Sequence, residues 1–313
     1  MSTFAKKSFD AVAYAASRPS YPPALYQHVL SYAPPAADGK GLLLDLGCGP
    51  GLSTFAFVPL FERVLGLDPS EGMVRAARGV LEQRVEKGEI DLQGGKREAR
   101  FEQGKGEDLH GIVEDASVDL VVAGQAAHWF DPPKVYSELR RVLKPGGAFA
   151  FWGYGEFFFP NLPELNKLIP AYSAGTLGPY WQQPGRSIVE SLLTPFPFPS
   201  PSSSTSGPDF DPTTFHRSFF LRSGGSPPSL STPDPPSTTT SVDPLLLTHQ
   251  WSLKDIEAYL RTWSSASTYK DEHPGEEDVV SAMVERLREG GLKDDEKVEV
   301  GWEMGVVMGR LGK

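Results

Sequence analysis

Residues 42–53, LLLDLGCGPGLS, join an apolar run to a turn with glycines at three alternate positions, Gly47, Gly49 and Gly51. Turns of this kind, between a buried strand and a helix, commonly hold nucleotide-like ligands, because the backbone must approach the ligand closely. The stretch therefore predicts a ligand site directly after the first buried strand.

The spacing does not fit the dinucleotide fingerprint GxGxxG. The sixth position is Leu52 when counted from Gly47 and Thr54 when counted from Gly49. The pattern is D-x-G-x-G-x-G, in which Asp45 stands near the end of the apolar run. A carboxylate there disfavours a pyrophosphate and favours a ligand that carries an ammonium group.

Composition limits the classes of function. The 313 residues carry a net charge of −10, with 39% hydrophobic residues, one cysteine and no apolar run of about 20 residues. Nucleic-acid binding usually requires a basic surface, so we expect no nucleic-acid partner. The N-terminus lacks the pattern of a signal peptide. We expect a soluble, cytoplasmic and monomeric protein with no membrane association and no metal ion.

Apolar runs alternate with helix-like segments between residues 41 and 154. The runs are GLLLDL, RVLGLD, ARFEQG, VDLVVAG and GAFAFWGY, and the clearest helices are expected at residues 70–87 and 131–143. Nearly unbroken apolar strands separated by helices are typical of a parallel sheet that is covered on both faces. This pattern predicts an α/β core.

The remaining segments differ in composition. We expect a helical N-terminal cap at 1–40, the ligand-binding core at 41–154, a substrate cap at 155–194, an insert at 195–244, and C-terminal helices with a final strand or hairpin at 245–313. The insert holds 12 of the 29 prolines and many serines and threonines, which predicts an irregular, partly disordered loop. Within it, residues 213–221 are rich in strand-forming residues. Ser252 is predicted to cap a helix, and a polar helix is expected near 275–289.

The core resembles the class I S-adenosylmethionine-dependent methyltransferases. The resemblance rests on LLLDLGCGPG, on VLGLDPSEGMVRAAR with Asp68, on VDLVVAGQAAHWFD and on LRRVLKPGGAFAFW. It implies a Rossmann-like α/β fold with a mostly parallel seven-stranded sheet, an antiparallel last strand, helices on both faces and a helical cap. It also implies S-adenosylmethionine as the cofactor.

The resemblance and the predicted strand ends together suggest a set of cofactor-binding residues. Asp68 can accept two hydrogen bonds from a ribose diol, and it can also cap the following helix. Lys105 stands where many class I sequences have aspartate or serine, which weakens an adenine contact there. The predicted cofactor-binding residues are Asp45, Gly47, Cys48, Gly49, Gly51, Asp68, Pro69, Met73, Gly106, Glu107, Gln125, Ala126 and Trp129.

Segments outside the core resemble the fungal trans-aconitate methyltransferase group. They are YAASRPSYPPALY, AAHWFD, WGYGE, LGPYWQQPGR and YLRTWSSASTYK. The resemblance implies methylation of a carboxylate of a small polyacid or a related compact acid. An arginine can hold such a carboxylate with its two-pronged guanidinium, and Arg18 and Arg186 are the candidates. The predicted substrate-binding residues are Arg18, Tyr21, Tyr180, Trp181, Arg186 and Trp263, with Gln182 beside them.

Alternative functions remain open at this point. A carboxylate is already ionised and needs no general base, so we expect His128 to position ligands rather than to remove a proton. His128 would matter more as a catalytic base if the acceptor were a hydroxyl or an amine. A non-catalytic cofactor-binding protein is a third possibility, and a nicotinamide oxidoreductase is a distant fourth. Cys48 lies inside the glycine turn and is expected to be a small packing residue. Tyr259 and Trp263 are expected to face the core.

Overall fold

A computed structural model describes residues 11–33, 41–201 and 208–313. The N-terminal part of the predicted cap, residues 1–10, lies outside the described residues, as do residues 34–40 and 202–207. No helix within the described ranges is both long enough and apolar enough to cross a membrane.

A nine-stranded mixed sheet forms the centre of the molecule, in the order β3-β2-β1-β4-β5-β9-β6-β7, with β8 also paired to β9. The five apolar runs of the core form its first five strands, all parallel. The strands are β1 (Leu42–Leu46), β2 (Arg63–Asp68), β3 (Glu98–Gln103), β4 (Val118–Gly124), β5 (Leu143–Phe158), β6 (His216–Leu221), β7 (Thr239–Pro244), β8 (Leu247–Trp251) and β9 (Val298–Arg310).

The last strand, β9, is antiparallel to its neighbours β5, β6 and β8. This confirms the Rossmann-like class with an antiparallel last strand, but the sheet is larger than the seven strands that we expected. The two added strands, β7 and β8, come from residues 239–251. β7 extends the sheet parallel to β6, and β8 occupies the part of β9 that β6 leaves unpaired.

Both faces of the sheet are covered, as its apolar strands require. Successive side chains of a strand point to opposite faces, so Leu43 belongs to one hydrophobic cluster and Leu44 to the other. The first cluster packs the sheet against α2, α3, α7 and α9, and the second packs it against α4. The helices are α1 (Ala11–Ser17), α2 (Pro23–Tyr32), α3 (Glu71–Glu86), α4 (Pro132–Val142), α5 (Leu168–Pro170), α6 (Gly185–Glu190), α7 (Leu253–Arg261), α8 (Ser264–Glu272) and α9 (Val279–Glu289).

Helix ends follow from local chemistry. Ser252 begins α7 with a capping box, in which its hydroxyl accepts from the Asp255 backbone and the Asp255 carboxylate accepts from the Ser252 backbone. Ser70 and Asp131 accept in the same way at the starts of α3 and α4. These three starts agree with the sequence-based expectations.

The insert is more ordered than its composition suggests. The guanidinium of Arg217, which is 0% exposed, donates to both oxygens of Asp234 at 2.8 Å. It also donates to the carbonyls of Leu193 and Phe196. A buried ion pair and the pairing of β6 with β7 therefore hold parts of the insert in place, and the disorder expected from its composition stays a prediction for the irregular residues between those strands.

Candidate active site

A cavity of about 790 Å³ opens where the parallel strands end. The turn after β1, the end of β2, the residues after β3 and the turn after β4 all line it. Ligands of open α/β sheets bind at this edge, outside the carboxyl ends of the strands. The cavity is therefore the position that the topology favours for a cofactor.

The glycine turn leaves room for a ligand at one position. A Cβ atom added to Gly49 meets nothing within 4 Å, and its φ of +53° lies in the left-handed region that favours glycine. A side chain at Gly47 would clash with the protein itself, because an added Cβ would lie 2.5 Å from the Ala126 Cβ. Gly49 thus faces open cavity space, whereas Gly47 lets the β1 and β4 turns approach each other.

Asp68 stands at the end of β2 and at the cavity wall. Its Oδ2 accepts from the Gly49 backbone at 3.0 Å, and its Oδ1 accepts from the Ser70 backbone at 2.8 Å. Burial raises the pKa of this carboxyl above its usual value, while the two backbone donors lower it. Each oxygen retains a second lone pair with which to accept from a ligand hydroxyl.

A second, smaller cavity of about 80 Å³ adjoins the first. Both cavities are lined by Tyr14, Arg18, Gln125, Trp129 and Tyr154. The small cavity carries two arginines, Arg18 and Arg186, and its lining includes no aspartate or glutamate among the described residues. The positive charges at this lining are therefore the two guanidinium groups, whose partners differ.

The two arginines are held differently. Arg18 donates to the Tyr154 hydroxyl at 3.4 Å and to the Thr262 carbonyl at 3.1 Å, and it has no carboxylate partner in the described part of the chain. Its Nε atom is buried without a hydrogen-bond partner. Arg186 instead forms ion pairs with Glu156 at 2.5 Å and Glu190 at 2.6 Å. Arg18 is therefore the cation that a ligand can still pair with.

Comparison with known proteins supports a methyltransferase. The family model described as "Methyltransferase domain" matches residues 44–151. The probable S-adenosylmethionine-dependent methyltransferase CRG1 of Saccharomyces cerevisiae is 26% identical over 298 residues, which cover 92% of this chain and 90% of that protein. A putative type II methyltransferase from Anaeromyxobacter dehalogenans is similar in structure, with a TM-score of 0.63, 26% identity and coverage of 94% and 97%.

Residues 44–151 match a methyltransferase domain, and the chain is an S-adenosylmethionine-dependent methyltransferase with a Rossmann-like fold. Its methyl donor, S-adenosylmethionine, fits the larger cavity by the chemistry present. The open space at Gly49 suits a nucleoside that lies close to the backbone, and the acceptor oxygens of Asp68 suit its ribose diol.

Most of the predicted cofactor residues of this methyltransferase lie around the larger cavity. Those that line it are Gly47, Cys48, Gly49, Asp68, Pro69, Met73, Gly106, Glu107, Gln125, Ala126 and Trp129. Their contacts with the cofactor stay predictions. Asp45 and Gly51 are not part of the lining.

Asp45 lies beneath the glycine turn and is 0% exposed. Its Oδ2 accepts from the hydroxyls of Ser53 at 2.8 Å and Thr54 at 2.6 Å, and burial raises its pKa to about 6. The Asp45 Oδ2 therefore holds the turn, whereas its Oδ1 is buried without a partner among the described residues, and the contact with the cofactor stays a prediction. At Gly51 an added Cβ would meet the ring of Phe55 rather than the cavity, so this glycine shapes the turn, and its contact with the cofactor also stays a prediction.

Gln125 has a structural task in the methyltransferase. Its amide accepts from the Tyr154 backbone at 2.8 Å and donates to the Tyr154 carbonyl at 3.0 Å, so it extends the pairing of β4 with β5. Its φ of +55° is unusual for a residue with a side chain. The strained turn carries the chain into the segment that holds His128 and Trp129.

His128 lines the small cavity, and its Nδ1 is buried without a partner. Burial, followed by the positive charges of Arg18 and Arg186, lowers the pKa of His128 to about 3. The imidazole is therefore neutral at physiological pH. This agrees with a positioning role and makes it a weak base.

The other predicted substrate residues divide into two groups. Trp181 and Trp263 line the small cavity beside Gln182, and Tyr21 lines the larger one. Tyr180 is not at either cavity, because its hydroxyl bonds His273 at 2.7 Å and its ring packs on Tyr269. The prediction that Tyr180 contacts substrate is therefore not supported by the fold.

Buried residues behave as their sequence positions indicated. Tyr259 and Trp263 are each 2% exposed, and both also line the small cavity. Burial, followed by the charges of Asp45 and Asp68, raises the pKa of the Cys48 thiol well above its usual value. Cys48 is thus an unreactive packing residue.

Several cavity residues were missed from the sequence. Some could have been found from their positions after predicted strands, since all such positions meet at one edge of the sheet. Missed residues of the larger cavity are Tyr14, Pro19, Pro50, Leu52, Ser53, Ser70, Gly104, Lys105, Gly124, Phe130, Asp131, Lys134 and Tyr154. Gly155, Val189 and Ser264 of the small cavity carried no recognisable signal.

Proposed function

We propose that this methyltransferase transfers a methyl group to a carboxylate of a small organic acid of the trans-aconitate type. The observation that carries the proposal is the small cavity with two arginines and no acidic residue among its described lining. A cavity of about 80 Å³ beside the cofactor cavity suits a compact anionic group rather than a large apolar acceptor.

Arg18 is the residue that we expect to hold the acid. It lines both cavities, so it stands where acceptor and donor meet. A partly buried arginine without a carboxylate partner gains a charge-assisted, two-pronged hydrogen bond when a carboxylate binds. Arg186 already has Glu156 and Glu190 and stacks on Trp181 at 3.9 Å, so it serves as a wall of the pocket.

The chemistry makes small demands on the protein. The cofactor supplies an electrophilic methyl group on a sulfonium, and an ionised carboxylate attacks it without losing a proton. The residues therefore need to align one oxygen with the methyl group and to exclude water. The aromatic rings of Tyr154, Trp181 and Trp263 surround the small cavity and reduce the polarity around the reacting oxygen.

The direct test is to incubate the protein with labelled cofactor and a panel of small acids, phenols and amines. The proposal expects label in a base-labile ester from an acid. Arg18→Ala should lower kcat/KM by tens- to hundreds-fold, about 2–3 kcal/mol for a lost charge-assisted pair, with a smaller effect on S-adenosylhomocysteine affinity because Arg18 also lines the larger cavity. Arg18→Lys should rescue part of the loss, since it keeps the charge without the planar fork.

Arg186→Ala and His128→Asn serve as comparisons in the same assay. Arg186→Ala should cost less than Arg18→Ala, because Arg186 is already paired within the chain. His128→Asn should be mild, because no proton has to be removed. A severely impaired His128 variant together with an unaffected Arg18 variant would contradict the acid assignment.

A hydroxyl acceptor is the second candidate function. It is favoured by the buried, unpartnered Nδ1 of the neutral His128 at the small cavity, which can accept a hydrogen bond from a hydroxyl. Base-stable label in an ether from the phenol panel would support it. The lowered pKa of His128, to about 3, weighs against it, because an efficient general base has a pKa near the working pH.

A further inference from the structure

Trp129 is the least firmly held residue at the junction of the two cavities. Five described residues line both cavities, and Trp129 is the only one of them that is exposed, at 43%. Its indole N–H makes no hydrogen bond among the described residues, whereas Arg18 and Gln125 are each held by two hydrogen bonds. The position of the indole is therefore set by packing.

The indole packs on Gly185, the first residue of α6. A Cβ atom added to Gly185 would lie 2.9 Å from Cζ3 and 3.1 Å from Cε3 of Trp129, and 3.2 Å from Cδ2 of His128. Gly185 is buried and lines neither cavity, whereas Trp129 lines both. Gly185 therefore lies behind the indole as seen from the cavities.

The backbone gives no reason for a glycine at position 185. The residue is helical, and its φ lies outside the left-handed region that favours glycine. Alanine is preferred to glycine in a helix, because glycine loses more backbone freedom there. What the missing side chain supplies is room for the indole of Trp129. We therefore look for the role of this glycine in the position of the indole.

We propose that Gly185 is a positioning residue that sets how large an acceptor this methyltransferase accepts, because it lets Trp129 lie back against α6. A side chain at position 185 would push the indole towards the space that donor and acceptor share. The inference depends on the volume of the acceptor and not on its charge. It rests on the proposed function only in placing the acceptor in the small cavity.

The size of the displacement can be compared with the size of the cavity. Carbon atoms in contact lie about 3.5–4.0 Å apart, so a Cβ at 2.9 Å would make the indole edge retreat by at least roughly 0.6 Å. The small cavity has a volume of only about 80 Å³, and the indole forms part of its wall. A misplacement of about 1 Å can cost about a hundredfold in rate, so an effect of tenfold or more is expected.

The test compares the wild type, Gly185→Ala, Trp129→Phe and the double variant. Each receives labelled cofactor with fumarate or methylfumarate, which carry the same charge and differ by one methyl group, and with phenol or 4-methylphenol as a second matched pair. For the pair that is methylated, Gly185→Ala should lower kcat/KM about tenfold or more for the larger member, mainly by raising KM, and less for the smaller one. Trp129→Phe removes the outer ring atoms that would meet the new Cβ, so the double variant should recover most of the loss.

A second measurement needs no acceptor. Gly185→Ala should lower the melting temperature in the presence of Trp129, because the new Cβ meets the indole. In the Trp129→Phe background the same change should leave the melting temperature unchanged or raise it, because alanine is the better helical residue. Gly175→Ala is the matched control, since Gly175 lies in the helical turn Ala171–Thr176 and an added Cβ meets nothing within 4 Å. This variant should lower neither kcat/KM nor the melting temperature.

The outcomes separate this inference from the proposed function. Ether formation from the phenols without any ester, with the same dependence on size and the same rescue, would overturn the acid assignment and leave the role of Gly185 standing. Ester formation with equal kcat/KM in the wild type and Gly185→Ala would support the function and overturn the inference. A double variant no better than Gly185→Ala would also overturn it. If no compound is methylated, a loss of melting temperature that persists in the Trp129→Phe background overturns the inference.

Discussion

The glycine turn after β1 and the insert that carries Asp234 are both loops that connect strands of the same sheet. Only the structure of the glycine turn could be predicted from the sequence. In the glycine turn the two anchoring carboxylates stand at the ends of apolar runs that predict strands: Asp45 holds Ser53 and Thr54, and Asp68 holds Gly49. In the insert, Asp234 is fixed by Arg217, a residue buried in β6. The composition of the insert, rich in proline, serine and threonine, gave no sign of this ion pair.

The difference shows which kind of order composition can hide. A Pro/Ser/Thr-rich segment lacks the apolar surface to fold by itself. Such a segment can still be held in place when one of its side chains neutralises a charge that is buried in the core. Deleting residues 223–242, which composition alone suggests is harmless, would leave the Arg217 guanidinium buried without its carboxylate partner.

The largest expected effect is on stability and lies in the insert. Asp234→Asn should lower the free energy of unfolding by about 3–5 kcal/mol, because it leaves a buried charge uncompensated. Denaturant unfolding measures it, and Thr232→Ala, an exposed change in the same segment, should stay within about 0.5 kcal/mol. Equal stability of both variants would mean that the Arg217–Asp234 ion pair does not stabilise the fold.

The second effect is on binding and lies in the glycine turn. Gly49→Val should weaken S-adenosylhomocysteine binding by at least about a hundredfold, or roughly 3 kcal/mol, because the side chain occupies cavity space. Gly88→Val is the matched control, since Gly88 also has a positive φ of +71° and open space around it, but lies far from the cavity lining. If both variants lost affinity equally in calorimetry, backbone strain rather than cavity space would be the cause.

A smaller loss of affinity is expected at Asp68. Asp68→Ala should weaken S-adenosylhomocysteine binding by about 1–3 kcal/mol, the range for hydrogen bonds to a charged group. Part of the loss comes through Gly49, whose backbone N–H loses its acceptor. Asp91→Ala, an exposed carboxylate outside the cavity, should leave the calorimetric affinity unchanged. An unaltered affinity in Asp68→Ala would remove this residue from the site.

The smallest effect is a pH dependence of stability. The pKa of His128 is lowered to about 3 in the folded protein from an ordinary value of 6.5, so the unfolded chain binds more protons between these values. Stability from this group is therefore lost as the pH falls below about 6.5. Asp45, whose pKa is raised to about 6, acts in the opposite direction between about pH 4 and 6.

His128→Asn separates the two groups. Between about pH 6.5 and 5.5 the variant should lose roughly 1 kcal/mol less stability than the wild type, because only the wild type must keep a buried imidazole neutral. Unfolding midpoints at several pH values measure the difference. Parallel curves for the two proteins would mean that His128 is solvated in the folded state.

The candidate site was predictable to the extent that it depends on strand ends. Asp68, Gly49 and Ala126 follow predicted parallel strands, and such positions meet at one edge of a sheet. The position of Tyr180 could not be predicted, because an aromatic cluster in the sequence does not say which rings face a cavity and which pack on α8. Arg18 and Arg186 looked equivalent until their partners were visible.

The sequence by itself determined the α/β core and the glycine turn, and its resemblance to the class I methyltransferases implied the antiparallel last strand and the methyl donor. The first two follow from periodicity and from residue types at fixed short spacings, which local backbone chemistry enforces. Only the tertiary structure decided that Asp45 holds Ser53 and Thr54 of the turn, that Arg217 pairs with Asp234, and that Arg18, unlike Arg186, has no carboxylate partner among the described residues. Each of these depends on which charge is left without a partner after distant segments pack. That balance is set by burial, and no short stretch of sequence contains it.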